Sequence, residues 1–82
     1  MTKAEKRMWQ RVNSIVRRGK VWVKTLEREI SELPQGIWIC INVETGEYVL
    51  GSDEGDASKT FRDKFGAKVP AFLHWVGGQI HV

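Results

Sequence analysis

Between Trp9 and Leu33 the apolar residues Trp9, Val12, Val16, Gly19, Val23, Leu26, Ile30 and Leu33 recur at alternating intervals of three and four. That is the a/d spacing of a helix with one apolar stripe, interrupted by a single glycine. Met8, Ile15 and Trp22 occupy the neighbouring g positions and widen the stripe. A two-stranded coiled coil prefers charge at those positions, so this face suits packing on a sheet or in a broader bundle. Pro34 and Gly36 end the helix.

The period then changes from 3.6 to 2. Ile37, Ile39, Ile41 and Val43 alternate with Trp38, Cys40 and Asn42, and Thr45-Gly46 turns the chain into Tyr48-Val49-Leu50. A two-residue loop places Tyr48 and Leu50 on the isoleucine face, whereas a three-residue loop with a glycine bulge places Val49 there. Both registers fit the pattern. Trp38 and Cys40 make the other face apolar as well, which implies cover on both sides. Ala57, Phe61 and Phe65 then recur every fourth residue, giving a short helix over Asp56 to Phe65 that stops at Gly66. A second hairpin is expected around Gly77-Gly78, with Trp75 facing Ile80 and His74 facing His81.

The expectation is one α+β domain over residues 1–82. A basic amphipathic helical segment over 1–33, long or bent, precedes a ββαββ core over 36–82 whose small, mainly antiparallel sheet is packed by helices. Length bears on the first segment. Residues 3–33 as one helix would span about 46 Å, while strands of five to seven residues span roughly 17–23 Å. Either the helix bends near Arg17-Arg18-Gly19-Lys20, or its free half packs on another subunit. The pattern is read as two helical segments bent at Gly19, in a dimer that covers the first. Trp9, Val12, Val16 and Gly19 are the residues expected to carry self-association.

Charge sharpens this picture. Residues 1–28 hold nine Lys or Arg and two Glu, and residues 29–56 hold seven acids with no Lys or Arg. Such segregation implies a charged partner or charge-matched self-association. Arg7, Arg11 and Arg18 form one basic stripe, and Arg17, Lys20, Lys24 and Arg28 a second. Ordinarily such stripes are the solvated face of an amphipathic helix. The functional alternative is contact with nucleic-acid phosphates, although no helix-turn-helix, zinc-finger or RNA-recognition signature accompanies them.

Chemistry has fewer candidates. Ser52 to Phe61, SDEGDASKTF, concentrates acids before a helix. Counted from Asp53 as a calcium loop, the sixth residue is Ser58 and the twelfth Lys64, where glycine and glutamate are required. Helix capping by Asp56 or Ser52 is the expected role. His74 and His81 could share a metal if paired across a hairpin, but no third ligand is near; they are read as surface residues, with no metal site. Cys40, the single cysteine, lies inside an apolar strand and reads as a small buried hydrophobe. Serines 14, 31, 52 and 58 lack a nucleophile motif. These patterns imply a non-enzymatic protein without a cofactor. The polar, basic first ten residues do not form a secretory signal, and the longest apolar run, Ile37–Ile41, is too short for a membrane span. A cytoplasmic location away from membranes is expected.

The stretch from Trp38 to Gly78 resembles small uncharacterised bacterial domains built as strand, ETGE turn, strand, helix and strand. The residues that carry this are Glu44-Thr45-Gly46-Glu47, Phe65-Gly66 and His74-Trp75-Val76. Some members look like antitoxin-type proteins, so the resemblance implies a protein partner and operator DNA. It supplies no catalytic residues, and the basic helix lies outside it.

Overall fold

A computed structural model describes residues 2–77. Helix α1 runs without interruption over Lys3–Thr25. Thr2 caps it by accepting a hydrogen bond from the Glu5 N–H at 3.2 Å, which satisfies one of the free amides of its first turn. The expected bend at Gly19 is absent. The break falls instead at Leu26, whose backbone leaves the helical region before α2 resumes over Glu27–Ser31.

Gly19 has a different task. It is the one buried residue of α1, and a Cβ there would collide with the Cβ, Cγ and Cδ1 atoms of Phe72. The missing side chain lets the helix backbone lie directly on the sheet. A close crossing, not a bend, accounts for a glycine in the stripe.

Strands β1 (Trp38–Asn42), β2 (Tyr48–Gly51) and β3 (Ala71–Trp75) form an antiparallel sheet in the order β2-β1-β3. In the first hairpin Ile39 lies opposite Leu50 and Ile41 opposite Tyr48. The Asn42 N–H donates to the Glu47 carbonyl at 2.7 Å, leaving four residues in the loop. Four has the same parity as two, so Tyr48 and Leu50 share the isoleucine face. Gly46, at φ +82°, supplies the left-handed turn position.

Between β2 and β3 lies α3, Glu54–Phe65. It starts two residues earlier than the apolar spacing indicated, because Asp53 caps it: its Oδ1 accepts the Asp56 N–H at 2.7 Å. Asp56 Oδ2 in turn accepts the Ser52 N–H at 2.9 Å. Gly51 has no room for a Cβ beside the Ala57 backbone, so the end of β2 meets α3 directly.

The sheet is covered on both faces. On one, Ile39, Ile41 and Val76 pack with Trp22, Val23, Ile30, Leu33, Ile37 and Tyr48 beneath α1 and α2. On the other, Cys40 and Val49 pack with Ala57 and Phe61 of α3, flanked by Trp38, Phe65 and Leu73. Each fully buried side chain of this size contributes roughly 1.5–3 kcal/mol relative to exposure, and Ile39 and Ile41 are completely buried. The strand expected over Gln79–Val82 and its pairing with β3, including His81, lie outside the described residues.

Candidate interaction surface

The two halves of α1 have different surroundings. From Gly19 onward the stripe meets the sheet: Trp22 lays its ring on Gly46 and donates its Nε1–H to the Val43 carbonyl at 2.8 Å, and Val23 joins the core. Before that point the same stripe emerges into solvent. Met8 is 68% exposed, Trp9 61% and Val12 53%, with Val16 also exposed. This row is a contiguous exposed apolar patch continuous with a buried one, in contrast to apolar residues scattered singly over a surface.

Three of the four residues expected to carry self-association therefore lie together on the free half of α1. Gly19 does not, because Phe72 occupies its surface within the same chain. Met8, read from sequence only as widening the stripe, is the most exposed large apolar residue of the row.

All seven basic residues of the two stripes are exposed. On a helical projection Arg7, Arg11 and Arg18 border one side of the apolar row, and Arg17, Lys20 and Lys24 the other. Arg28 is separated from them by the break at Leu26 and belongs to α2.

Other candidate chemistry resolves into structure. Asp53, and not Asp56 or Ser52 as expected, caps α3, while the Asp56 carboxylate accepts the N–H of Ser52 ahead of the helix. Among the described residues, no group of three or more His, Cys, Asp or Glu side chains is disposed to hold a metal ion. His74 lies opposite Ile39 and so points to the face covered by α1 and α2, not to a solvent face. It borders a groove of about 780 Å³ with Lys20, Lys24 and Glu27, and desolvation lowers its pKa. Cys40 is buried, and desolvation pushes its thiol up to about 11, away from nucleophilic reactivity at neutral pH. A shallower hollow of about 470 Å³ lies under the end of α3, between Phe61, Arg62, Val69 and Leu73.

The third feature is a patch on β2. Tyr48 and Leu50 share the face that α1 and α2 cover elsewhere, yet Leu50 is 41% exposed. The Tyr48 hydroxyl donates to Glu29 Oε2 at 3.0 Å, and Glu29 and Glu32 both act on the phenol, whose pKa rises through desolvation, that hydrogen bond and their negative charge. Sequence spacing does not disclose this patch, since α2 and β2 meet only after the chain turns into β1 and returns through the first hairpin.

The fold is α+β, with helices on both faces of an antiparallel sheet, and among the described residues no helix is long and apolar enough to cross a membrane. Comparison with family models, curated proteins and solved structures finds no match.

Proposed function

We propose that this protein is a non-enzymatic interaction module that self-associates through the free half of α1. The observation that carries this reading is the exposed row of Met8, Trp9, Val12 and Val16 on a helix whose other half uses the same stripe to cover the sheet. Removing each such side chain from water is worth roughly 1.5–3 kcal/mol when burial is complete, so association has a driving force at this surface. Sedimentation at micromolar concentration tests it. The expected result is a concentration-dependent mass above the 9.4 kDa chain, abolished by Val12→Asp. A monomer throughout the concentration range overturns the reading.

A second reading, favoured by the exposure of Arg7, Arg11, Arg17, Arg18, Lys20 and Lys24 on α1 and Arg28 on α2, is nucleic-acid binding by this basic segment, as an antitoxin-like protein would use it. Contacts by several of these cations to phosphates would weaken steeply with salt. Duplex DNA and RNA titrated at low salt distinguish the two: no binding there removes this second reading and leaves the first untouched.

A further inference from the structure

The molecule carries a length of helix without a sheet and, at the opposite edge, a strand left partly open at Leu50 on the face that α1 and α2 cover elsewhere. Trp22 of α1 sits by the first hairpin, against Val43 and Gly46, and Gly19 one turn earlier sits on Phe72 of β3. The helix thus travels toward the β3 edge, and residues 3–16 continue for about 21 Å with their apolar row exposed. At the other edge, β2 presents Tyr48 and Leu50 on the helix-covered face, with Leu50 41% exposed.

Charge distinguishes this patch from other places where the helix could dock. The free half of α1 is bordered by Arg7 and Arg11. The β2 patch is bordered by Glu29, which accepts the Tyr48 hydroxyl, and by Glu32, whose negative charge also acts on that phenol. The larger groove beside His74 is lined by two cations, Lys20 and Lys24, against one acid, Glu27, a net positive charge that disfavours a basic helix. Opposite charge around an apolar centre is the arrangement that steers and orients association.

We propose that the free half of α1 docks on the Tyr48–Leu50 patch of a second copy of this chain, with Arg7 and Arg11 facing that copy's Glu29 and Glu32. This rests on the self-association reading and names the surface that receives the helix. The row of Met8, Trp9 and Val12 then covers the second copy's Leu50 as Trp22 and Val23 cover the chain's own isoleucines. Because donor and acceptor surfaces differ and lie at opposite edges of the molecule, the contact is head-to-tail and propagates into a ring or an open chain.

Complementation in sedimentation tests the arrangement. Val12→Asp spoils the helix and leaves the patch intact, whereas Leu50→Asp spoils the patch and leaves the helix intact. Both positions are exposed, and circular dichroism checks that each variant remains folded. Each alone is expected as a monomer, and an equimolar mixture as a complex of two chains, capped because only one contact can form. The double variant Glu29→Lys, Glu32→Lys is expected to weaken self-association about tenfold or more, and it decides the question should Leu50→Asp not fold. If Leu50→Asp, or the double lysine variant, assembles as the wild type does, the docking site is wrong while self-association through α1 stands. A mixture of monomers that stays monomeric likewise overturns the head-to-tail contact. A monomeric wild type overturns both.

Discussion

Gly19 of α1 and Phe72 of β3 are in such close contact that no side chain fits between them. This pair fixes the height of the helix above the sheet and the point at which it leaves the sheet. It also converts the apolar stripe into a buried half and an exposed half. Two opposing effects meet at Gly19→Ala. Alanine is favoured over glycine within a helix by about 1 kcal/mol, but overpacking a contact of this kind costs typically 1–3 kcal/mol. Here the added Cβ meets the Cβ of Phe72, close to the backbone, where little can yield. Net destabilisation is expected in denaturant titration, and a variant more stable than the parent would show that the helix has room to lift.

The Trp22 ring lies on Gly46, where a Cβ would come within 2.5 Å of it, and Gly46 has φ +82°. Gly46→Ala therefore combines backbone strain with a collision and should destabilise by about 1–3 kcal/mol. Trp22→Phe keeps most of the apolar contact but leaves the Val43 carbonyl without its side-chain donor. The expected loss is about 0.5–1.5 kcal/mol for the bond, with a further contribution from the smaller ring. Thermal or denaturant unfolding measures both.

Asp53 is the cap of α3. Asp53→Ala should cost about 1 kcal/mol, and Asp53→Asn much less, because the amide oxygen can still accept the Asp56 N–H. Addition of calcium or magnesium to the wild type should leave its unfolding midpoint unchanged. A substantial rise would return the acidic segment to consideration as an ion site.

The Cys40 thiol should react slowly with alkylating reagents in the folded protein and rapidly on unfolding. Its folded pKa, about 11, lies above the unfolded value of 9.0. The neutral thiol is thus favoured in the fold, and its contribution to stability is complete below pH 9.0 and lost as pH rises toward about 11. Cys40→Ala should flatten that alkaline limb, as followed by denaturant midpoints; an unchanged limb would assign the loss to other groups.

His74 titrates in the opposite direction. Desolvation lowers its folded pKa below 6.5, so the fold favours neutral imidazole. Stability from this term is present above pH 6.5 and falls as pH drops through the lowered value. Lys20, Lys24 and Glu27 border the same groove and set the field around it. His74→Gln should remove part of the acid-side loss relative to wild type, and identical profiles would show that carboxylates carry all of it.

Several elements were legible because their signal is local. The stripe from Trp9 to Leu33, the alternation from Ile37 to Val43 and the spacing of Ala57, Phe61 and Phe65 each report a period that one segment expresses alone. The start of α3 was less legible, since the capping residue, Asp53, precedes the apolar spacing and competes with Ser52 and Asp56, two equally suitable acceptors. The hairpin register depended on loop parity, which Asn42 settles through its backbone bonds to Glu47 and Gly46.

What the sequence determines by itself is the order of helices and strands as far as β3, the two-faced sheet and the separation of basic from acidic segments. Only the tertiary structure decides that the helix stays continuous at Gly19, because a glycine's role depends on what approaches it, here Phe72. The same holds for the division of one apolar stripe into buried and exposed halves, and for the meeting of Tyr48 with Glu29. Periodicity describes which residues share a face of their own element. Which faces then meet, and which are left open, depends on crossing points between elements distant in the chain.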